Sequence, residues 1–237
     1  MTLPANVCET GNRSWPQTRR KEDAMRVSEC VECEAFPCAD VKHSCYVVPG
    51  INLKPEAVSI VMVSESSPEN PDDYYYAKGK PLFQQATVQA FHDAGCNVAS
   101  VKDIVARGVY LTTAVKCGKT GYGVRAATIR ECSCLLEKEL GLFPNVRVLI
   151  LMGDAAIKAL NFIARRAGHK RVIPAGSTYK IRGQEYSFNE IRVFPSYLQA
   201  GPSFFIEKSK RRMIAEDIAA RRFAWLELET KYPRVIR

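Results

Sequence analysis

SIVMVSE, residues 59 to 65, is an almost continuous apolar and β-branched run that ends in a carboxylate. Three similar runs follow it along the chain: VYLTTAV (109 to 115), VRVLILM (146 to 152) and IRVFPS (191 to 196). Runs without polar alternation are typical of strands that are covered on both faces, as in parallel sheets. The four runs therefore predict a parallel four-stranded sheet between two layers of helices.

The segments between these runs carry helical patterns. Residues 82 to 94 repeat apolar side chains at helical spacing, which predicts a helix after the first strand. Thr128 and Glu131 have the spacing of a capping box, and Asp154 is placed to cap a third helix. Strands that alternate with helices predict a three-layer α/β/α fold with a central, mostly parallel four-stranded sheet. Function is expected in the loops at the carboxyl ends of its strands.

The remaining segments predict a hairpin, a long helix and a loose arm. Residues 178 to 190 alternate polar and apolar side chains around Arg182-Gly183, which predicts an exposed hairpin. A basic helix is predicted from residue 202 to about residue 225. Residues 1 to 29 are polar and show no period, so they predict a loosely structured N-terminal arm. Residues 30 to 237 are expected to form one domain, because a chain of 237 residues can bury one substantial core.

Charge and apolar run length limit the function classes. The chain has 34 Lys and Arg against 25 Asp and Glu, a net charge of +9. This excess favours a nucleic-acid partner, although many basic proteins are simply soluble. No run approaches the roughly 18 apolar residues of a membrane span, and the start lacks the pattern of a signal peptide. We expect a cytoplasmic chain with no membrane partner that acts as a monomer.

SECVECEAFPC, residues 28 to 38, brings three cysteines close together in sequence. Nine cysteines in a chain expected to be cytosolic favour metal or cluster ligation over a disulfide framework. Cys30 and Cys33 form a C-x-x-C pair, and either Cys38 or the distant Cys117 and Cys132 can complete a site. A close pair with two distant single cysteines suits a [4Fe-4S] cluster, and zinc would more often show two close pairs. Buried thiols without a ligand are the third interpretation.

The order of these motifs resembles families 4 and 5 of the uracil-DNA glycosylases, the iron-sulfur branch of that superfamily, over roughly residues 30 to 222. The motifs that carry the resemblance are C-x-x-C (30 to 33), YVVPG (46 to 50), SIVMVSESSPENPD (59 to 72), GKPLFQQATVQAFHDAG (79 to 95), VYLTTAVKC (109 to 117), IRECSCLLEKEL (129 to 140), LILMGDAAIKAL (149 to 160), KIRG (180 to 183) and FPSYL (194 to 198).

The resemblance implies a protein that flips a nucleotide out of damaged or single-stranded DNA and hydrolyses its N-glycosidic bond. It assigns a [4Fe-4S] cluster to Cys30, Cys33, Cys117 and Cys132. It assigns Glu65 to the attacking water and places the base-binding positions at Ser66, Phe83, Thr113 and Phe194. It gives the minor-groove contacts to Ser196, Tyr197 and Leu198. The basic character of the last helix adds phosphate contacts from Lys210, Arg211 and Arg212.

The base pocket departs from the family pattern at several positions. Both glycines of the family's first loop are absent, Pro68 lies one place late, and Leu82 stands at the stacking position with Phe83 next to it. Thr113 stands where the family has an asparagine that reads uracil, so uracil would be read less selectively. Phe194 stands where the family has a histidine, and losing one such donor typically costs on the order of 10² to 10³ in rate. We therefore expect weak or absent uracil excision, with any activity falling on a deaminated purine. The alternative is a non-catalytic, DNA-binding iron-sulfur relative.

Several candidate residues also have an ordinary structural interpretation. Glu65 can simply cap a helix, and Ser196 can do the same. Phe83 lies at helical spacing with Phe91 and is typical of a core residue. The cations of the last helix can form a solvated face.

Overall fold

The computed structural model describes residues 24–121, 123–200 and 203–231, with the backbone alone for residues 221–231. Most of the predicted N-terminal arm lies outside the described residues. The strands are β1 (Met25–Arg26), β2 (Val41–Lys42), β3 (Asn52–Leu53), β4 (Ile60–Ser67), β5 (Val109–Lys119), β6 (Val148–Met152), β7 (Tyr186–Phe188) and β8 (Ile191–Ser196). The α-helices are α1 (Leu82–Asp93), α2 (Val101–Ala106), α3 (Ala126–Leu140), α4 (Asp154–Arg166), α5 (Thr178–Ile181), α6 (Ser203–Ile206) and α7 (Lys208–Lys231).

The central sheet has the strand order β2-β5-β4-β6-β8-β7. Its four inner strands are the four predicted runs, and they pair in parallel. The sheet has six strands rather than the four predicted, because β2 and β7 add short antiparallel edges to β5 and β8. Strands this short carry no readable period, so β2 was not predicted, and β7 falls within the segment 178 to 190 that was predicted as a hairpin. β1 and β3 pair with each other outside this sheet.

Helices cover both faces of the sheet, as the three-layer prediction requires. On one face, α3 and α4 bury apolar side chains such as Leu135 and Leu160 against Val61 and Val63 of β4. On the other face, α1, α2 and α7 pack against the alternate β4 residue Met62. Successive side chains of a strand point to opposite faces of the sheet, so the sheet separates the core into two halves.

The N-terminus of α3 is capped differently from the prediction. The helix begins at Ala126, so Thr128 lies within its first turn and is not the N-cap residue. The cap comes from Asp40, whose carboxylate accepts hydrogen bonds from the Thr128 hydroxyl and, at 2.7 Å, from the Arg125 backbone N–H. A carboxylate at a helix N-terminus interacts favourably with the helix dipole. The cap also ties the segment around Asp40 to α3.

The predicted hairpin is displaced along the chain. Residues 178 to 181 form the short helix α5, and the hairpin consists of β7 and β8. Its two turn residues are Asn189 and Glu190, both with positive φ (48° and 64°), as a type I′ turn requires. Among the described residues, no helix is both long enough and apolar enough to cross a membrane.

Candidate functional site at the carboxyl edge of the sheet

Glu65 lies near the carboxyl end of β4 and points at the N-terminus of α4. One carboxylate oxygen accepts the Ala155 backbone N–H at 3.4 Å, and the other lies 3.8 Å from the Lys119 ammonium. The Glu65 side chain is 22% exposed and that of Lys119 29% exposed. Glu65 therefore does cap a helix, as its ordinary interpretation expects, and it remains reachable by water.

Gly153 makes room for this carboxylate. It precedes α4 with a φ of 96°, a conformation that residues with a Cβ rarely adopt. A Cβ at this position would lie 2.7 Å from the Cγ and Oε1 atoms of Glu65. The predicted N-cap residue Asp154 is instead the first residue of α4. The sharp turn at Gly153 thus lets Glu65 pack directly against the start of the helix.

A cleft of about 230 Å³ opens beside Gly153 at the same edge of the sheet. Tyr197 and Leu198, which follow β8, form part of its wall, and Lys210 of α7 forms another part. Tyr197 and Leu198 are two of the three residues predicted to contact the minor groove. They therefore line a cleft whose wall also includes Gly153, the residue that packs against Glu65. An opening at the carboxyl ends of parallel strands is where α/β folds usually bind their ligands.

The third of these residues, Ser196, lies below this surface and is 2% exposed. Its hydroxyl donates to the Asp217 carboxylate at 2.7 Å. Asp217 is also paired with the Arg182 guanidinium at 2.8 Å. Ser196 therefore joins β8 to α7 and is not exposed for a phosphate contact in this conformation.

The predicted base-binding residues are buried in the face of the sheet that α1 and α7 cover. Phe83 is 9% exposed, Thr113 0% and Phe194 3%. The ring of Tyr75 packs edge-on against that of Phe83, with the centroids 5.2 Å apart. Tyr75 thus occupies space next to the predicted stacking surface, and a base reaches Phe83 only if the tyrosine moves.

Some buried side-chain oxygens on this face of the sheet lack hydrogen-bond partners. The hydroxyls of Thr113 and Tyr75 and the carbonyl oxygen of the Gln199 side chain are buried with no hydrogen-bond partner of good geometry. Burial raises the pKa of Tyr75 to about 12. Neither Tyr75 nor Gln199 has a predicted role, since neither lies at a position that the motifs assign. Ser66 is also buried, at 7% exposure, on the last stretch of β4.

The three cations predicted to bind phosphates differ in their surroundings. Arg211 forms a two-point ion pair with Asp93 of α1, with one N–O distance of 2.8 Å, so it fastens α7 to α1. Lys210 lies 2.5 Å from Glu207 and lines the cleft. Arg212 is 79% exposed, and its nearest carboxylate, Glu216, is 3.7 Å away. All three cations are paired, but Lys210 and Arg212 pair with exposed carboxylates three or four residues away in sequence and are themselves 45% and 79% exposed, so they are more accessible to a polyanion than Arg211.

Three of the four cysteines assigned to the cluster lie in one buried region between β5 and α3. Cys33, Cys117 and Cys132 are all less than 9% exposed. All three belong to one apolar cluster of the core. Burial raises the pKa of Cys117 to about 12, and Cys33, Cys38 and Cys45 raise it further. The neighbouring Cys132 thiol lowers the pKa of Cys38 to about 7, and Cys38 and burial together raise that of Cys132.

The fourth assigned cysteine does not join this group. The Cys30 side chain is exposed to solvent, whereas Cys38 is partly buried against the apolar cluster that contains the other three. A [4Fe-4S] cluster has one thiolate on each iron, so its ligands surround a wider space than a single ion needs. Within the part of the chain that the structure describes, no three His, Cys, Asp or Glu side chains converge as closely as one ion requires. Cys134 is disulfide-bonded, which the expectation of reduced thiols did not foresee.

Comparison with known proteins agrees with the fold and with the motif order. The chain matches the uracil DNA glycosylase superfamily over residues 54–222. It is similar to a type-5 uracil-DNA glycosylase of Thermus thermophilus, with 33% identity over 101 residues. That stretch covers 42% of this chain and 45% of the relative, so the two align over less than half of either length. Because the superfamily match takes in β4 to β8 and most of the chain, this protein belongs to the uracil DNA glycosylase superfamily.

Proposed function

We propose that this chain binds damaged or single-stranded DNA and hydrolyses the N-glycosidic bond of a flipped, deaminated base. The observation that carries the proposal is the position of Glu65. Its carboxylate is held at the carboxyl edge of the sheet by Ala155 and Lys119, beside a cleft large enough to admit part of a nucleotide. A fixed, water-accessible carboxylate next to a binding cleft is the minimum that hydrolysis of a glycosidic bond requires.

In this proposal, Glu65 orients the attacking water and its negative charge stabilises the oxocarbenium-like sugar. The Ala155 N–H and the Lys119 ammonium hold the carboxylate in one place, so little reorganisation is needed during the reaction. Lys210 attracts the phosphate backbone at the cleft, while Tyr197 and Leu198 provide the apolar contact from the loop after β8.

The base to be removed is predicted from the side chains around Phe83. Displacing Tyr75 would expose the Phe83 ring and the unpaired polar atoms of Thr113 and Gln199. Phe194 gives this region no donor for the oxygen of a departing uracil anion. A base that leaves as a neutral, protonated species suffers less from that loss. We therefore assign the activity to deaminated purines such as hypoxanthine or xanthine, with weak or undetectable release of uracil.

The proposal includes a [4Fe-4S] cluster in a structural role. Cysteine ligands from the N-terminal region, β5 and α3 would fasten that region to the domain. The cluster would supply cross-linking and no redox step, because hydrolysis of a glycosidic bond transfers no electrons.

The test is a base-release assay on oligonucleotides that contain uracil, hypoxanthine or xanthine, in single and double strands. Glu65→Gln keeps the shape of the side chain and removes its charge, so we expect release to fall at least ~10²-fold. Asp154→Asn is the matched control: this carboxylate lies in the first turn of the same helix, is 70% exposed and pairs with Lys158. Release that survives Glu65→Gln would show that the active site lies elsewhere.

A second candidate function is DNA binding without catalysis. The observation that favours it is the complete burial of Thr113 and the apolar surroundings of Phe194. In that case no lesion is released, even by Phe194→His, while DNA is still bound with an affinity that falls steeply with salt. Weak release that Phe194→His increases for uracil would instead support the enzyme.

A further inference from the structure

Gln199 follows β8 and has a polar side chain that is 0% exposed. Its amide nitrogen donates to the Thr87 hydroxyl of α1 at 3.0 Å. Thr87 is also 0% exposed, and its hydroxyl donates to the Phe83 backbone carbonyl at 2.6 Å. Two buried hydrogen bonds in series therefore connect Gln199 with Phe83, the predicted stacking residue.

These two hydrogen bonds determine which way the Gln199 amide faces. A hydroxyl has one proton, and Thr87 gives its proton to the Phe83 carbonyl, so the Thr87 oxygen can only accept from Gln199. Turning the amide round would place its carbonyl oxygen against an oxygen with no proton left to donate. The amide nitrogen is therefore held against Thr87, and the carbonyl oxygen Oε1 faces away from it.

The Oε1 atom held in this way is buried and accepts no hydrogen bond from the described part of the chain. An acceptor in this state destabilises the fold, and most buried polar atoms do have a partner. The Tyr75 ring lies nearby and packs edge-on against that of Phe83 at 5.2 Å. Burial raises the pKa of the Tyr75 hydroxyl to about 12, and the neighbouring Ser64 and Gln199 side chains counteract this rise only in part. An unsatisfied acceptor thus lies beside the ring that covers the predicted stacking surface.

A second unpartnered group of this region is a hydroxyl. Thr113 is opposite Ser64 in the parallel pairing of β5 with β4, and its hydroxyl is buried without a partner among the described residues. A hydroxyl can donate or accept, so Thr113 suits a base with either pattern. A fixed amide oxygen only accepts. Of these two groups, Gln199 is therefore the one that can distinguish bases by whether they present an N–H.

We propose that Gln199 determines base specificity: once Tyr75 is displaced, the Gln199 Oε1 atom accepts the N–H that deamination creates on the base. This inference rests on the base-release activity proposed above. Thr87 acts through Gln199 and is a positioning residue, because its hydroxyl holds the amide with Oε1 toward the base.

The chemistry of deamination fits a fixed acceptor. Adenine has an unprotonated nitrogen at N1 and cytosine has one at N3, whereas hypoxanthine and uracil carry an N–H at the same atoms. Xanthine also carries an N–H at N1. Oε1 attracts such an N–H and repels the lone pair of the undamaged base, so the contact favours the deaminated product on its Watson–Crick edge. Guanine and thymine have an N–H at these atoms too, and this contact does not exclude them.

The experiment measures the release of hypoxanthine and of 1-methylhypoxanthine, which has a methyl group in place of the N1–H, from otherwise identical single-stranded oligonucleotides. The wild-type chain should show a kcat/KM at least ~10-fold higher for hypoxanthine. Gln199→Met keeps the length of the side chain and removes the acceptor, so the two bases should be released at nearly equal rates. Gln85→Met is the matched control: this exposed glutamine of α1 donates to the Lys80 carbonyl, and its replacement should leave the preference unchanged.

The positioning role of Thr87 is tested with two variants. Thr87→Val removes the hydroxyl that orients the amide, so the preference for hypoxanthine should fall, and Thr87→Ser should restore it. A purely structural role of Gln199 predicts a different result, in which Gln199→Met lowers the melting temperature and slows both bases equally. Because Oε1 is unsatisfied in the unbound protein, we expect Gln199→Met to melt no lower than wild type.

An unchanged preference in Gln199→Met, or equal release of the two bases by the wild-type chain, would overturn the inference. If the wild-type chain releases no base, the proposed activity fails, and binding then tests Gln199 separately. The Kd values of the same two oligonucleotides are compared in the same variants. A preference that Gln199→Met removes supports the inference, and equal Kd values in the wild-type chain refute it. If Gln199→Met does not fold, Thr87→Val and Thr87→Ser provide the test.

Discussion

A buried ion pair between β5 and α3 allows the first prediction. Lys116 and Glu139 have side chains that are 0% exposed, and they are in direct contact. The Lys116 ammonium also donates to the Thr112 hydroxyl at 2.8 Å and to the Thr113 carbonyl at 2.7 Å. Glu139 accepts two further hydrogen bonds, from Tyr110 at 2.6 Å and from Thr112 at 2.9 Å. Every donor of the ammonium is therefore satisfied, and both charges are fully desolvated.

Removing one charge leaves the other buried without a counter-ion. Glu139→Gln leaves the Lys116 ammonium unpaired, and Lys116→Met leaves the carboxylate with only two hydroxyl donors. Each change should cost about 3 to 5 kcal/mol of unfolding free energy. A chain of this size loses about 2 to 4 °C of melting temperature per kcal/mol, so each single variant should melt roughly 6 to 20 °C lower. The double variant buries neither charge. Its loss of unfolding free energy should therefore be about 2 to 3 kcal/mol smaller than the sum of the losses of the two single variants.

The assay is thermal and urea unfolding of the two single variants and the double variant, analysed as a double-mutant cycle. The matched control is Lys158→Met, which breaks the exposed pair of Lys158 with Asp154 (47% and 70% exposed). This pair should contribute no more than about 0.5 kcal/mol. The reasoning is refuted if Lys116→Met and Glu139→Gln each cost under about 1 kcal/mol, or if their costs simply add.

Two further predictions concern the surface. Burial alone would raise the pKa of Asp40, but the hydrogen bonds from Thr128 and Arg125 hold it below its usual range. The ionised Asp40 carboxylate therefore stabilises the fold at pH values above its unfolded-state pKa, and this stabilisation is lost on acidification. Asp40→Ala should lower the unfolding free energy by about 1 kcal/mol at neutral pH, and its difference from wild type should shrink below about pH 4. An unchanged difference at low pH would contradict this. Replacing Lys210 and Arg212 by Gln should weaken DNA binding equally for all sequences and lower the salt dependence by about one counterion per lost contact, whereas Lys54→Gln at the opposite edge should not.

Most of the fold could be predicted from the sequence because the inner strands are covered on both faces. Such strands must be apolar along their whole length, and all four appear as uninterrupted runs whose ends fall close to those of β4, β5, β6 and β8. The edge strand β2 was missed because two residues carry no period, and β7 was predicted only as part of the hairpin at residues 178 to 190. The hairpin turn was misplaced because Arg182-Gly183 looks like a turn, while the turn is formed by Asn189 and Glu190 with positive φ.

The site was less predictable, because its contacts join residues that are far apart in sequence. Thr128 and Glu131 suggested a local cap for α3, but the carboxylate of Asp40, 88 residues from Thr128 in sequence, has that role. In the same way, neither Lys116 nor Glu139 showed that it had a buried partner. The contact between Glu65 and Lys119 depends on strand order alone, since it requires β4 and β5 to be neighbours.

The end of β5 connects the cysteine group with the candidate active site. Lys116 points toward α3 and Glu139, Cys117 lies among the thiols, and Lys119 approaches Glu65, all within four consecutive positions. The pairing of β4 with β5 shifts register between Ser66 and Ser67, beside these residues, so the backbone there departs from the regular ladder. This strand end is held by its short pairing with β2, through Val41 and Lys42, and by its side-chain contacts. Iron bound by Cys117 would add a further constraint on this strand end, and so on the position of Lys119 and of the Glu65 carboxylate that it contacts.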